Sequence, residues 1–328
     1  MPPHITASAE PVENLERYWQ DSTAPLQWEC LFLLPPWLNS WLSTFGAERH
    51  SEAIVIRDGE SIIGIAPVLY HKSTVTLIGS PEVCDYCGLI TRPGLEKEFL
   101  SSLLDALAAQ NMKELTFSGI RQDSALYTLL PEIASSSGGT CTFNTNSLTF
   151  GKKLPSSWQV YLEELNGKQR HEVRRKTRRL YEAGEIELLI IESPEKADEA
   201  CDLFLRLFIS SRKDKAMFMD ATMTLFFRRL IHAMSAVGML RLFFLYINNK
   251  PAATALCFEY NKTMYLYNSG YDPRFRPLSA GFLCKSMSIQ NAIERGCTSY
   301  DFLKGSEPYK RRMGGISSPV YQCHLHLR

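Results

Sequence analysis

No stretch of these 328 residues approaches the roughly 18 uninterrupted apolar residues of a membrane-crossing helix; the run LRLFFLYI at 240–247 is only as long as a strand. Charge of one sign is missing too. The 36 Lys and Arg nearly balance 35 Asp and Glu, so a net charge of +1 gives no general pull toward DNA or anionic lipid, and any basic site must be local. The opening MPPHITASAEPVENLERYW has acids and prolines where an export leader would have a basic end and an apolar run, which predicts a cytoplasmic protein. Nine scattered cysteines argue against a disulfide framework and for a reducing compartment. Cys84-Asp-Tyr-Cys87 is a lone CxxC with no second pair or nearby histidine to complete a zinc site, so it is expected to hold two ordinary thiols. His324 and His326 alternate along the last strand without a third ligand, and no metal is expected. Walker, dinucleotide and Gly-x-Ser-x-Gly fingerprints are absent from the sequence.

What is present is ordinary globular composition, 45% hydrophobic and 22% charged, in a chain long enough for about two domains. Within it one plan occurs twice. The first copy, AIVIRDGESIIGIAPVLYHKSTVTLIGSPEVCDYCGL, predicts a strand, a turn at Asp58-Gly59, two more strands and a loop holding Asp85-Tyr86; a helix over 96–110 and the strand KELTFSGI follow. The second copy, RLFFLYINNKPAATALCFEYNKTMYLYNSGYDPRF, has turns at Asn248-Asn249 and Asn261-Lys262 and a loop at Tyr271-Asp272. A helix over 279–295 and the strand TSYDFLKG close it. Between the copies, 155–184 predicts one long helix stopped at Gly184, then a strand EIELLIIE and helices near 195–213 and 220–237. The fold class is α/β with mixed sheets flanked by helices, in two domains, 1–151 and 152–328.

The order of elements in the second half resembles the GNAT acyltransferase fold. Two such domains in one chain resemble the FemAB-like transferases, and locally the bacterial BioF2-like or cellulose-biosynthesis-protein-like acetyltransferases. The segments that carry this likeness are W..YL..L.GKQRHEVRRKTRRL, NSGYDPRFRPLSAG and G.TSYDFLKGSEPYKRRMG, with PPWLNSW and CDYCGL in the first half. The resemblance implies a degenerate N-terminal domain on the acceptor side and a C-terminal acyltransferase domain. It implies acyl-CoA or an acyl carrier protein as donor, or aminoacyl-tRNA as in Fem-type relatives, and a small-molecule amine or hydroxyl acceptor. One departure leaves the donor open: where ordinary GNAT enzymes hold a glycine-rich pyrophosphate loop, this chain reads RFRPLSAGF with Gly281 alone. A non-catalytic binding or scaffold protein of a polysaccharide or export system is the alternative from another class.

Around that departure the residues suggest a donor site. A helix starting near Ser279-Ala280-Gly281 offers unpaired N–H groups and a positive dipole end, with Arg274 and Arg276 upstream to grip an anion. By analogy with the fold, Asn268-Ser269-Gly270 ends a strand that parts from its neighbour and exposes backbone groups to the donor. In DFLKGSEPYK, Asp301 is the candidate base; Lys310, which resembles the Fem-type lysine, would supply positive charge from an exposed side chain, and Tyr309 a proton for the leaving group. Asp85, Tyr86 and Tyr271 are the candidate acceptor contacts. Arg170, Arg174 and Arg178 recur at i, i+4 and i+8 in KQRHEVRRKTRR and form a candidate face for a carrier protein or tRNA.

Overall fold

The structure is a computed structural model, and it describes residues 5–23 and 25–327. These form two compact units: residues up to 147 together with those from 318 onward, and residues 148–317. The division differs from a break at 151/152 because the last strand returns to the first unit. There β14 (Ile316–His326) runs antiparallel to β7 (Glu114–Arg121) from Val320 to His326.

In the first unit the sheet order is β1 (Ile5–Glu10), β3 (His50–Asp58), β4 (Ser61–His71), β5 (Thr74–Leu77), β7 and β14. The short strands β2 (Gln27–Trp28) and β6 (Ile90–Thr91) pair with each other, and β6 also pairs with β4. Four helices belong here: α1 (Asn14–Gln20), α2 (Pro35–Phe45), α3 (Glu96–Ala109) and α4 (Ala125–Ser136). Apolar residues of α3 at 99, 100, 103, 104 and 107 recur at helical spacing and are all buried in the core with Ile54, Ile56 and Phe117.

The second unit has the sheet order β13 (Ser299–Lys304), β12 (Thr263–Tyr271), β11 (Lys250–Tyr260), β10 (Leu240–Ile247) and β9 (Ile186–Ile191). The end of β8 (Thr140–Lys153) pairs with β13 from Thr149 to Lys153. Both hairpins close on two residues in the left-handed region, Asn248-Asn249 (φ 50° and 60°) and Asn261-Lys262 (φ 46° and 56°), as tight two-residue turns require. Helix α10 (Ala280–Glu294) lies against β11 and β12.

The two copies share one topology. In each, three antiparallel strands lead through a helix to a strand that is parallel to the third. Three residue pairs make that parallel contact both times: Thr74–Thr76 with Glu114–Thr116, and Thr263–Tyr265 with Ser299–Asp301. Two helical predictions need correction. The stretch 155–184 is not one helix but α5 (Trp158–Glu164) and α6 (Gly167–Glu182). They are broken where Asn166 takes extended backbone and caps α6 in a reciprocal pair with Gln169. Between α7 (Ala197–Ser211) and α9 (Ala221–Ala236) stands a further short helix, α8 (Lys213–Phe218), and α11 (Pro308–Arg312) follows β13. Among the described residues no helix is long and apolar enough to cross a membrane, and no group of three His, Cys, Asp or Glu is placed to hold a metal.

Candidate active site

Where β12 and β13 part company, the second unit concentrates its unusual chemistry. Their pairing ends at Tyr265 and Asp301 although β12 runs on to Tyr271. The cause is local. The β11 partners jump from Leu266 to Asn268, so Tyr267 is an extra residue, and its ring stacks on Phe227 at 5.6 Å instead of following the pleat. Such a bulge bends a strand and raises its twist. Just beyond, Gly270 lets α7 cross close to the strand; a Cβ there would stand 2.5 Å from the Leu207 carbonyl. Thus Gly270 is needed for the packing of α7 on β12.

Two lysines converge on the parted segment. Lys285 on α10 donates to Ser269 Oγ at 3.2 Å and lies 4.6 Å above the Tyr309 ring, and only 7% of it is exposed. Lys215 on α8 donates to the Ser269 carbonyl and lies 4.7 Å above the Phe208 ring. Burial pushes both ammonium groups down to about 8; for Lys215 the charge of Lys285 adds to the effect, while Glu307 opposes it at both. Sequence reasoning missed both residues. For Lys285 a signal existed: Gly281, Lys285, Ser288 and Ala292 share one buried helix face, and a lysine among such small residues breaks the pattern. Lys215 carries no comparable mark.

The predicted catalytic residues are close in the chain but differ in state. Lys310 is not exposed: 1% of it reaches solvent. Its Nζ donates to the Leu303 carbonyl at 2.9 Å and to the Lys304 carbonyl, and pairs with Glu307 at 3.2 Å. The two carbonyl contacts tie α11 to the end of β13, and the nearby Glu307 carboxylate offsets the buried charge. Leu303, at φ 59°, sits in the left-handed region at the turn that Lys310 clasps. Asp301 stands at the last paired position, and its Oδ1 accepts the Leu303 N–H at 2.8 Å across a bulge in the β8 pairing. Tyr309 packs its ring at 6.3 Å from Phe302, and burial raises the pKa of its phenol.

The candidate donor-loop residues lie around the start of α10. Arg274 is bound to its own neighbour Asp272 by Nε and Nη2 contacts, with 77% of its side chain in solvent, and Arg276 is exposed. Both lie in a 3-10 turn, Pro273–Leu278, and Ser279 enters α10 with φ 59° and no side-chain cap. Ala280 is fully buried. The reason for Gly281 is a side chain: its Cβ would meet the Tyr271 ring at 3.0 Å. Tyr271 is therefore packed against α10, where an acceptor contact was expected. Asn268 is half-buried beside Ser269.

In the first unit Tyr86 is a core residue, 8% exposed, with Phe32 edge-on at 6.0 Å and the Arg121 guanidinium 5.6 Å above it. It lines a cavity of about 100 Å³ with Thr76, Ile78 and Ser118, at the end of the β5–β7 pairing. The chain beside it fills the parting of those strands: the Cys87 N–H donates to the Gly119 carbonyl at 3.1 Å, and a Cβ on Gly119 would stand 2.7 Å from the carbonyl of Asp85. Burial pushes the Cys84 thiol up to about 12, and Cys87 is buried as well. On α6, Arg174 and Arg178 are exposed, the latter 3.5 Å from Glu182. Arg170 instead reaches the Glu163 carbonyl at 3.2 Å across the helix break.

Residues 167–311 match the family described as an acetyltransferase (GNAT) domain. No curated protein matches the sequence. Among solved structures, FemX is similar at 12% identity and a TM-score of 0.67, with 97% of this chain and 96% of that chain covered. A conserved protein of unknown function from Bacteroides thetaiotaomicron is similar at 14% identity and a TM-score of 0.57, covering 89% and 90%. L-PGS from Bacillus licheniformis is similar at 10% identity and a TM-score of 0.56, covering 88% and 90%. At these identities the likeness is one of fold. The chain has a two-unit fold similar to that of FemX, and residues 167–311 of its second unit match a GNAT acetyltransferase domain.

Proposed function

We propose that the second unit transfers an acyl group from a thioester, acyl-CoA or an acyl carrier protein, to an amine or hydroxyl of a small acceptor. The observation that supports this most is the parting of β12 from β13 after three residue pairs, with backbone groups of 266–271 left beside two desolvated lysines. Transfer to an amine forms a C–N bond as the C–S bond breaks. The thiolate leaves, and the proton lost by the acceptor must be taken up nearby. Positive charge fixed in a site of low polarity stabilises the oxyanion between these events. Backbone N–H groups left by the parted strands face the oxyanion in this proposal, with Lys285 and Lys215 beside them, whereas Lys310 holds the β13–α11 turn in place. Asp301, at the fork of the strands, is the proposed proton acceptor. Tyr309, which keeps its proton, can donate a hydrogen bond to the leaving sulfur.

One observation favours an aminoacyl-tRNA as donor instead: Arg174 and Arg178 present exposed guanidinium groups on one face of α6. Titration of the protein with acetyl-CoA and, separately, with a charged bacterial tRNA pool tests the two readings. Saturable binding of acetyl-CoA supports the thioester. Binding of tRNA that depends on Arg174 and Arg178 supports the other donor. Binding of neither would leave a protein that has kept the fold without the reaction.

A further inference from the structure

The second unit holds more buried positive charge at Ser269 than its own acids neutralise. Lys310 has Glu307, but among the described residues neither Lys215 nor Lys285 has a carboxylate within ion-pair distance. Among the described residues their hydrogen bonds go to Ser269, and an ammonium can donate three, so each has capacity for a further acceptor. Two like charges driven together out of water are unfavourable unless something negative joins them. Ser269 adds a donor of its own: its Oγ accepts from Lys285, which leaves the hydroxyl proton able to turn to a ligand.

We propose that Lys215, Lys285 and the Ser269 hydroxyl form a binding subsite for a carboxylate, which makes the preferred acceptor of the transferase an acid such as an amino acid or an N-acyl amino acid. The inference rests on the gap between β12 and β13 being the reaction site. A carboxylate has two acceptor oxygens, one for each ammonium, and its single charge offsets a good part of the local excess. The Tyr309 and Phe208 rings under the two ammonium groups favour cations and exclude water, which strengthens the pair once formed. The charged and titratable groups facing the subsite are Glu307, Lys310, Cys257, Cys284 and Tyr309 around Lys285, and Arg212, Asp214 and Glu307 around Lys215. With only Asp214 and Glu307 acidic among them, an incoming anion meets little repulsion.

Trace labelling of lysines with acetic anhydride at pH 8, read by mass spectrometry, tests the subsite without any donor present. N-acetylglycine at ten times its Kd should slow labelling of Lys215 and Lys285 about tenfold, since only the unbound fraction reacts. Lys250, on another part of the unit, should label unchanged, and so should all three residues in N-acetylglycinamide, which has the same shape without the charge. Calorimetry in two buffers of different ionisation enthalpy at pH 8 should show protons taken up on binding, and Lys285→Met should abolish both effects. Equal protection by the amide, no protection by the acid, or equal protection by inorganic phosphate overturns the carboxylate assignment. Acetyl-CoA binding that survives any of those results would leave the transferase reading standing, whereas protection by the acid in a protein that binds no donor would remove that reading and keep the subsite.

Discussion

The two copies of the fold part their parallel strands after three residue pairs each, and differ in what occupies the opening. In the first copy the chain fills it: the segment Asp85–Cys87 bonds to Gly119 and buries Tyr86, leaving a cavity of about 100 Å³. In the second copy ammonium groups from α8 and α10 reach Ser269, with the Tyr309 ring under one of them. One backbone plan therefore serves twice, once closed by packing and once furnished with charge. The difference lies in a few side chains and one loop, which is where a shared fold leaves room for distinct function.

The largest expected effect comes from closing the second opening sterically. Gly270→Val would drive a side chain into the Leu207 carbonyl and should destabilise the second unit by about 3 kcal/mol or more. In the first copy, Gly119→Ala forces a left-handed residue (φ 87°) against the Asp85 carbonyl and should cost about 1–3 kcal/mol. Urea denaturation of both variants reads the order. Equal losses would mean that the close approach of α7 is not what shapes β12.

Lys310→Met is the next in size. Removing the buried ammonium leaves two backbone carbonyls unpaired and a part-exposed Glu307 without its cation, and should lower stability by about 1–3 kcal/mol. Arg274→Met, which breaks an exposed pair with its neighbour, should change it by less than about 1 kcal/mol. Similar melting temperatures for the two variants would return Lys310 to the role of an exposed charge.

That contrast marks what was legible in the sequence. Strand–turn periodicity, the Asn-Asn and Asn-Lys turns and the apolar stripe of α3 each follow from local pattern, and the repeat with its helix and closing strand follows from comparing the halves. The fork of the strands at 265/301 was legible only as an analogy of fold, and it falls where the Tyr267 bulge bends β12. What stayed hidden depends on contacts between distant segments. The burial of Lys310 needs the carbonyls of β13, and the exposure of Arg274 needs the Asp272 turn. The contact between Gly281 and the Tyr271 ring joins residues ten apart in the chain and adjacent only in the fold. Lys285 could have been noticed as the one charge on a small-residue face; Lys215 could not.

A smaller effect follows from pH. In the folded chain Lys215 and Lys285 lose their protons near 8, whereas ordinary lysines hold theirs to 10.5. From pH 8 toward 10.5 the unfolded chain binds more protons at these sites, so they make stability rise with pH, by at most ~1.4 kcal/mol per unit for each group. Below pH 8 both states are protonated and the burial penalty is constant. The melting temperature of Lys285→Met relative to the parent should therefore fall from pH 7.5 to 9.5. A difference independent of pH would show that Lys285 titrates like an exposed lysine.

The smallest change is expected on the outer face of α6. Arg174→Glu with Arg178→Glu should leave stability within about 0.5 kcal/mol, because both side chains are solvated. Should tRNA bind, the same pair should weaken it and flatten its dependence on salt; an unchanged salt slope would exclude this face from the contact.

Hydrogen exchange with and without donor tests the central contrast most directly. Acetyl-CoA, or charged tRNA if that is the donor, should protect backbone amides within 266–271 of the second copy and leave 76–88 of the first copy unchanged. Protection confined to 76–88, with 266–271 exchanging as before, would contradict the account.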